Sequence, residues 1–267
     1  MTKHQTQITI IIPTYTNTGG FIELLTFLSK TSVSIIVIDN QPTEKKQKFV
    51  QSLITNYRSL ITYLPQQNNT GFAKAVNLGI KKAKSEWVLI LNDDVIIKDK
   101  YIFEQLLAYA IKHEFSAVSP FLKNSTGKIE NLGYRVLPAG RAELNFDKTK
   151  IDQRSLDGLT AACLLIKKND FDTVGGFDEH FFAYLEDVDL FLRLKKKGYT
   201  FGVDLAAEVI HESHATSSKM GNFKQKQDLK NWIRIIIRNW DKKTLISHFP
   251  QIVIERMRNV SGYIKAI

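Results

Sequence analysis

The sequence of 267 residues holds a single cysteine, Cys163, so no disulfide bond can form within the chain. This suits a reducing compartment. Long apolar runs are missing as well, since runs such as 8–12 and 235–237 fall far below the roughly 20 residues that a membrane-spanning helix needs. The polar residues 1–7 lack the charged-then-apolar pattern of a secretory signal. From these absences we expect a cytoplasmic protein.

Internal repeats, low-complexity tracts and Gly/Ser-rich or Pro-rich linkers are also absent from the sequence. The composition is 43% hydrophobic and 24% charged, which is ordinary for a globular protein. A chain of this length buries a sizeable core. We therefore predict one compact unit rather than two tethered domains.

Short apolar runs alternate with helix-compatible segments in the first hundred residues. The predicted strands cover 8–13, 34–38, 60–64 and 87–91, and the predicted helices cover 20–29, 43–57 and 71–84. Continuous apolar strands separated by helices indicate a parallel sheet covered on both faces. Ligands of such sheets bind beyond the carboxyl ends of the strands. Five polar residues fall at such ends, namely Asp39, Asn40, Asn92, Asp93 and Asp94.

The region from 99 to 218 follows a mixed pattern that suits the far wall of a cleft. Its predicted helices cover 101–113 and 186–197, its predicted strands cover 117–121, 159–167, 199–205 and 208–210, and its predicted loops cover 124–127 and 133–140.

Positive charge is concentrated in 219–267, where eleven Lys/Arg and three Asp/Glu give +8 of the net charge of +10. This charge suits anionic lipid, nucleic acid or a phosphorylated substrate, or it serves solubility alone. Apolar residues over 229–240 follow the spacing of one helix face. That helix either packs on the main domain or lies on a membrane surface. A second helix is predicted from near Pro250.

The first acidic cluster is Asn92-Asp93-Asp94, which directly follows a predicted buried strand. Two adjacent carboxylates are costly together unless a cation or solvent relieves their repulsion. Mg²⁺ or Mn²⁺ prefers such oxygen ligands and often bridges to the phosphates of a substrate. The alternative is a strand-ending turn, where Asn and Asp are common.

The second acidic cluster, at 186–189, opens a predicted helix. Acidic residues suit a helix N-terminus because they oppose the helix dipole, which is the structural interpretation. Three aromatic residues at 181–184 make the surroundings partly apolar, and this favours a raised carboxylate pKa suited to a general base.

Two further features are weaker on their own. His211 follows a predicted strand and is a candidate metal ligand, with His214 as the alternative, although a lone histidine is more often structural. The segment 68–73 places Gly71 at a predicted helix start, where free amides suit a phosphate. Ordinary capping by Asn or Thr is the alternative there, and no Gly-x-Gly-x-x-Gly or Gly-Lys-Ser/Thr loop is present.

In this order, the segments resemble the family-2 glycosyltransferases of GT-A fold, especially their rhamnosyltransferase-like bacterial branch. The matching stretches are IIIPTY at 10–15, IVIDN at 36–40, NTGFAKAVNLGI at 69–80, LNDDV at 91–95, GGFDE at 175–179, EDVDL at 186–190 and His211. The resemblance covers roughly 8–218. It implies an α/β GT-A fold with a mainly parallel, Rossmann-like sheet flanked by helices, and we expect a basic helical C-terminal tail after it.

The resemblance also implies a division of the chain. A GT-A domain is expected over 1–218, with a nucleotide-sugar-binding half at 1–98 and an acceptor and catalytic half at 99–218. The helical basic tail is expected over 219–267.

The resemblance implies where the donor binds. The residues expected to contact it are Pro13, Thr14, Tyr15, Asp39, Asn69, Gly71, Asn77, Asn92 and Asp93. Asp39 is expected to contact the nucleotide base or ribose, and 13–15 to line the same pocket. The segment 69–77 is expected to close over the donor.

The metal site is implied in the same way. Residues 92–94 match the Asp-x-Asp motif of the family, so Asp94 is expected to bind a divalent metal, Mn²⁺ or Mg²⁺, that bridges the donor diphosphate. His211 matches a histidine that completes the metal shell. Asn92 departs from the family pattern at the first position of the motif and removes one negative charge.

The catalytic residues are implied to be Asp187 and Glu186. Asp187 is expected to be the general base that deprotonates the acceptor hydroxyl, and Glu186 to support it or to contact the acceptor. The predicted reaction is an inverting transfer of one sugar from a nucleotide-diphosphate sugar to a saccharide or lipid-linked acceptor, in cell-surface polysaccharide assembly. Peripheral attachment to the inner membrane face through 219–267 is a further hypothesis.

Four other functions fit less well. A non-catalytic nucleotide-sugar-binding module would lack the acidic pairs, and both are present. A sugar nucleotidyltransferase would resemble its class by carrying a Gly-rich, Arg-containing loop after the first strand, and we find no such loop. A processive synthase would resemble its class by carrying membrane spans and a Gln-x-x-Arg-Trp motif, and we find neither feature. Nucleic-acid binding rests on the basic tail alone, so no nucleic-acid partner is expected.

Overall fold

The first four strands form a parallel sheet, as the apolar pattern predicts. The computed structural model describes residues 7–16, 18–57, 60–149, 151–212 and 222–265. The parallel strands are β1 (Ile8–Thr14), β2 (Ser34–Asp39), β3 (Ile61–Pro65) and β4 (Trp87–Leu91). The helices between them are α1 (Thr18–Leu28), α2 (Glu44–Tyr57) and α3 (Gly71–Lys82). Every residue of β1 and β4 is buried, which explains their mainly apolar sequences.

The second half of the sheet is mixed rather than parallel. Its strands are β5 (Val95–Ile96), β6 (Ala117–Lys123), β7 (Ile129–Asn131), β10 (Cys163–Lys167) and β11 (Phe201–His211). Among the described residues the strand order is β3-β2-β1-β4-β10-β6-β11-β5, with β7 paired to β6. β10 lies antiparallel to both neighbours, β4 and β6. Beyond β4 the sheet is mixed, since β6 and β11 pair in parallel while β10 and β5 lie antiparallel to their neighbours.

Two predictions for the second half differ from the structure. The segment 133–140 contains a strand, because β8 (Tyr134–Leu137) pairs with β9 (Arg141–Leu144) in a hairpin. The strands predicted at 199–205 and 208–210 form one strand, β11, whose register shifts between Asp204 and Glu208. This irregularity breaks the apolar alternation in the sequence.

Helices cover both faces of the sheet, and each face has its own apolar core. The remaining helices of this part are α4 (Ile102–Lys112), α5 (Lys168–Thr173) and α6 (Glu186–Lys196). One core packs α1, α2 and α4 against the sheet, and the other packs α3, α5 and α6 against the opposite face. The carboxyl ends of β1 and β4 are left uncovered by this arrangement and open into a cleft.

The C-terminal segment folds into α7 (Phe223–Asn239), α8 (Lys242–Ser247) and α9 (Phe249–Lys265). Helix α7 packs on the main domain, which was one of its two predicted alternatives, because Trp232, Ile235 and Ile236 are buried there. The buried face is rotated from the predicted one, since Ile233 and Ile237 are exposed. None of the helices in the described ranges is long and apolar enough to cross a bilayer. The division of the chain at 218 and 219 stays a prediction, and 213–221 lie outside the described residues.

Candidate active site

A cleft of about 610 Å³ brings most of the predicted site residues together. It opens at the carboxyl ends of β1 and β4 and is closed on the far side by the start of α6 and by α7. The predicted residues that line it are Pro13, Thr14, Tyr15, Asn69, Gly71, Asn92, Asp93, Asp94, Glu186, Asp187 and His211. Asp39 and Asn77 do not line it. The alternative ligand His214 lies outside the described residues.

The first acidic pair meets a histidine from a distant strand. The Asp94 carboxylate lies 3.2 Å from Nε2 of His211, which ends β11. The other ring nitrogen, Nδ1, lies 2.8 Å from the carboxylate of Glu130 on β7. Burial by itself lowers the pKa of His211, but contacts with the two carboxylates outweigh it and raise that pKa to about 9. Glu130 was not predicted from the sequence.

Asp93 points back into the sheet. Its Oδ2 accepts a 2.6 Å hydrogen bond from the hydroxyl of Thr14, and the carboxylate is 8% exposed. Burial raises the pKa of Asp93 to about 7, although the Thr14 hydrogen bond lowers it and the neighbouring Asp94 raises it further. The two adjacent carboxylates therefore differ, with Asp94 turned to His211 and Asp93 anchored on β1.

A divalent metal fits between Asp94 and His211. One carboxylate oxygen and one imidazole nitrogen already lie in contact there, and the Asn92 side-chain oxygen beside them is buried without a hydrogen-bond partner in the described part of the chain. No three His, Cys, Asp or Glu side chains among the described residues converge to hold a metal by themselves. Mg²⁺ and Mn²⁺ sites commonly combine one or two protein ligands with substrate phosphates, which suits this pair.

Asp39 is fully buried in an ionic network behind the cleft. Its carboxylate accepts hydrogen bonds from Nζ of Lys46 at 2.9 Å and from the hydroxyl of Tyr63 at 2.7 Å. Lys46 is also 0% exposed and donates to the carbonyl of Tyr15, which lines the cleft. Burial, followed by the contact with Asp39, raises the pKa of Tyr63 well above its usual value. Lys46 was missed because its sequence surroundings, EKKQK, read as a solvated helix face.

The start of α3 has no amide available for a phosphate. The Gly71 amide donates to the side chain of Asn69, and the amides of Phe72 and Ala73 donate to the carbonyl of Phe182. Of the two alternatives at this helix start, occupied amides count against the phosphate site. Asn69 and Gly71 nevertheless line the cleft, so their contact with a donor stays a prediction.

Asn77 holds the GGFDE segment instead of lining the cleft. Its side chain donates to the Phe177 carbonyl at 2.8 Å and accepts from the Phe177 amide at 3.0 Å. Phe177 is 1% exposed and packs on Phe171, and Gly176 adopts a φ of 67° beside it. This pairing locks the chain that leads to the second acidic cluster, and the predicted contact of Asn77 with the donor stays a prediction.

The second acidic pair sits at the first turn of α6. Asp187 accepts hydrogen bonds from the amides of Val188 at 2.8 Å and Ala161 at 3.4 Å. Glu186 is 7% exposed, and its Oε2 has no hydrogen-bond partner in the described residues. Burial raises the pKa of both, to about 6 for Asp187 and to about 8 for Glu186, where the neighbouring Asp187 charge adds to the effect. Two like charges buried side by side favour a state in which the pair shares one proton, and the pair then offers one carboxylate base and one neutral acid.

The raised pKa of Glu186 predicts a pH-dependent cost to stability. Its ordinary value is 4.5, so between pH 4.5 and 8 the folded state binds more protons than the unfolded state and stability falls as pH rises. We expect Glu186→Gln to remove this loss. The change in the free energy of unfolding caused by the substitution should therefore be more favourable at pH 8 than at pH 5, by more than about 1 kcal/mol. Urea unfolding at both pH values measures this. Glu23→Gln, on the exposed side of α1, is the control, and equal effects of the two changes would contradict the prediction.

Helix α7 forms part of the cleft wall, which the sequence did not indicate. Its lining residues are Phe223, Lys224, Asp228 and Trp232. Burial raises the pKa of Asp228 to about 6, against a lowering by Lys224. Aromatic rings beside a carboxylate offer a stacking surface and a hydrogen-bond acceptor, a combination suited to a sugar.

Comparison with known proteins agrees with this geometry. The family model described as glycosyl transferase family 2 matches residues 9–175, which is more than half of the chain. The chain belongs to this family. It is therefore a glycosyltransferase. A second model, described as the N-terminal domain of galactosyltransferase, matches 141–215, which includes the second acidic pair.

Several bacterial relatives are similar along most of the chain. The N-acetylglucosaminyl-diphospho-decaprenol L-rhamnosyltransferase of Mycobacterium tuberculosis is 26% identical over 73% of this chain and 72% of its own length. Rhamnosyltransferase WbbL of Escherichia coli K12 is 26% identical over 80% of this chain and 88% of its own length. Galactofuranosyltransferase GlfT1 of Mycolicibacterium smegmatis is 27% identical over 66% and 60% of the two chains.

Solved structures support the fold. GalNAc-T7, solved with UDP, GalNAc and Mn²⁺, superposes with a TM-score of 0.67 at 13% identity, over 90% of this chain and 49% of that one. The mannosyltransferase PcManGT from Pyrobaculum calidifontis, solved with GDP-Man and Mn²⁺, gives 0.64 at 15% identity, over 97% and 74%. At these identities the likeness establishes the fold alone, and it matches the GT-A expectation.

Proposed function

We propose that this glycosyltransferase is metal-dependent and moves one sugar, with inversion, from a nucleoside-diphosphate sugar to a hydroxyl of a saccharide or lipid-linked acceptor. The observation that carries the proposal is a single cleft lined by both a metal-suited pair, Asp94 and His211, and a base-suited pair, Glu186 and Asp187. One pair serves the departing diphosphate and the other serves the attacking hydroxyl.

On the donor side, Asp94 and His211 would hold the metal, and Mn²⁺ would suit their mixed oxygen and nitrogen ligands as well as Mg²⁺ would. When bound, the divalent cation neutralises charge that builds on the leaving diphosphate. Thr14 fixes Asp93, and the Lys46–Asp39 ion pair fixes the Tyr15 carbonyl at the cleft wall. These contacts keep the donor side rigid around the diphosphate.

On the acceptor side, Asp187 takes the proton from the attacking hydroxyl. Two backbone amides orient its carboxylate, and its pKa of about 6 leaves it ionised at neutral pH. Within the pair we assign the shared proton to Glu186, whose carboxyl group can then donate a hydrogen bond to a substrate in the same cleft. Attack by the hydroxyl on the face opposite the leaving group then inverts the anomeric centre in a single displacement.

The names of two relatives point to the acceptor class. One of them acts on N-acetylglucosaminyl-diphospho-decaprenol, and the other is a rhamnosyltransferase. We therefore propose rhamnose as the first sugar to test and a lipid-linked saccharide as the first acceptor.

A donor panel tests the proposal. Purified protein is incubated with a lipid-linked saccharide acceptor and with dTDP-rhamnose, UDP-galactose, UDP-glucose, UDP-N-acetylglucosamine or GDP-mannose, in Mn²⁺ or in EDTA, and release of nucleoside diphosphate is measured. Release with one donor that requires Mn²⁺ is the expected result. Silence across the panel from folded protein, with binding of the nucleotides retained, would favour a non-catalytic binding module of the same fold.

We further propose that the membrane-facing surface lies on α9 rather than on α7. Five apolar side chains of α9 follow the spacing of one helix face and are each at least 40% exposed, namely Phe249, Val253, Met257, Val260 and Ile264. The adjacent face of α9 is anchored, since Ile252 is buried and Arg256 donates to the Gly140 carbonyl at the β8–β9 hairpin. An exposed apolar stripe within a segment of net charge +8 suits the surface of an anionic bilayer.

Vesicle flotation tests this attachment. We expect the protein to float with vesicles that contain phosphatidylglycerol and not with phosphatidylcholine alone, because the charge is needed as well as the apolar stripe. The double change Phe249→Asp and Met257→Asp should abolish flotation. Ile111→Asp, an equally exposed apolar site on α4, should leave it intact. Flotation by the double variant, or equal binding to both vesicles, would contradict the proposal.

A further inference from the structure

The loop that precedes the catalytic pair has an unusual backbone. In the described chain, four non-glycine residues have positive φ, and three of them lie here, Phe182 at 61°, Tyr184 at 67° and Leu185 at 67°. Phe182 is the centre of a γ-turn in which the Ala183 amide donates to the Phe181 carbonyl at 2.7 Å. Side chains with a Cβ rarely adopt these conformations, which persist only where the surroundings impose them.

One anchor of the loop lies on α3. The Phe182 carbonyl accepts from the amides of Phe72 at 2.6 Å and Ala73 at 3.3 Å. Gly71 permits this approach, because a Cβ there would lie 2.5 Å from the Phe182 carbonyl oxygen. This anchor belongs to the donor side of the cleft.

The second anchor is the side chain of Asn231 on α7. It is 0% exposed, and its Nδ2 lies 2.7 Å from the carbonyl of Tyr184, 3.0 Å from that of Ala183 and 3.2 Å from that of Phe181. The two amide hydrogens are therefore shared among three carbonyls. A buried carbonyl without a hydrogen-bond donor is costly. The Asn231 side chain therefore stabilises the loop by donating hydrogen bonds to its carbonyls on the side away from α3.

The loop conformation sets the start of α6. The Leu185 carbonyl accepts from the Asp189 amide at 3.1 Å and so begins the helix that carries Glu186 and Asp187. Any relaxation of Tyr184 or Leu185 toward negative φ rotates this first turn and moves the Asp187 carboxylate away from the Ala161 amide. Misplacement of a catalytic group by about 1 Å can cost on the order of 10²-fold in rate.

We propose that Asn231 is a positioning residue for the catalytic base, and that α7 is thereby an integral part of the active site. Asn231 holds the loop 181–185 in its strained form and so fixes the orientation of Asp187. The residue lies beyond both stretches that the family models match. The role in catalysis rests on the function proposed for Asp187, whereas the role in holding the loop does not.

Hydrogen exchange tests the loop-holding role without any substrate. The variants are Asn231→Ala and Asn231→Leu, both of which lack the donor, the second with a similar side-chain volume. Asn239→Ala is the matched control, because Asn239 lies on the same helix and bonds to Asp189 and Lys196 of α6 without touching the loop. We expect exchange in 181–187 to rise at least about 10-fold in both Asn231 variants and to stay unchanged in the control.

Steady-state kinetics test the expected effect of Asn231 on catalysis, with the donor that the panel selects. We expect kcat to fall at least about 10-fold in both Asn231 variants while the donor KM stays within about twofold, because the donor side of the cleft is untouched. Unchanged exchange, an equal loss in Asn239→Ala, a parallel rise in donor KM, or failure of both Asn231 variants to fold would overturn the proposal. If exchange rises but no donor is turned over by the wild type, the proposed function fails and the loop-holding role stands.

Discussion

Replacing Asp187 by Asn is expected to lower kcat by about 10²–10⁴-fold, which is the usual contribution of a general base. The carboxamide is nearly the same size and still accepts the hydrogen bond from the Val188 amide, so the loop and helix keep their geometry. It cannot take up the hydroxyl proton. Nucleoside-diphosphate release measures kcat, and calorimetry with the donor should give an unchanged Kd.

The control for this change is Asp172→Asn. Asp172 lies on the exposed side of α5, pairs with Lys168 and is not among the cleft-lining residues. Its replacement should leave kcat within about twofold. Turnover by the Asp187 variant close to that of the wild type would remove Asp187 from the role of base and would direct attention to Glu186 or Asp228.

The second large effect is expected at Lys46. Replacement by Met removes the cation that pairs with Asp39, and both side chains are at most 1% exposed. Asp39 is then left as a buried charge with neutral partners only, Tyr63 and the Gln41 amide. We expect Lys46→Met to lower the free energy of unfolding by about 3–5 kcal/mol, the range measured when one partner of a buried ion pair is removed. Chemical denaturation at pH 7 measures it.

Lys48 provides a matched control two residues later on α2. It pairs with Glu44 across one turn, but the two side chains are 74% and 79% exposed. Lys48→Met should change the free energy of unfolding by less than about 0.5 kcal/mol, because exposed ion pairs are screened by solvent. Similar losses in the two variants would show that the Lys46–Asp39 pair is not the source of the stability.

The parts of the fold that local patterns determine were predictable from the sequence. β1, β2 and β4 are mainly apolar because both faces of each are covered. The acidic pairs stand out because they follow a buried strand or open a helix. The resemblance joined Asp94 to His211, which are 117 positions apart, and the structure places them 3.2 Å from each other. These predictions needed only periodicity and ordered motifs.

The residues that were missed depend on tertiary pairing. Glu130 lies in a short polar strand. It reaches His211 only because β7 pairs with β6, which in turn lies beside β11. Lys46 is one of three lysines within five residues of α2, and nothing local distinguishes the one that is buried. Asn231 lies between apolar positions of α7, where a side-chain amide has no local signature. The α3 amides were expected to be free because no local pattern reveals that Phe182 occupies them.

The central claim, that Asp94 and His211 hold a metal against the donor diphosphate, is tested most directly by calorimetric titration of UDP, GDP and dTDP into the protein. The titrations compare the wild type and Asp94→Asn, with Mn²⁺ and with EDTA, and use Asp99→Asn in the exposed loop before α4 as control. We expect Mn²⁺ to strengthen binding of at least one nucleotide to the wild type and the control by at least about 10-fold, and to have no such effect on Asp94→Asn. Equal affinity with Mn²⁺ and with EDTA, or an unchanged Mn²⁺ effect in the Asp94 variant, would contradict the account.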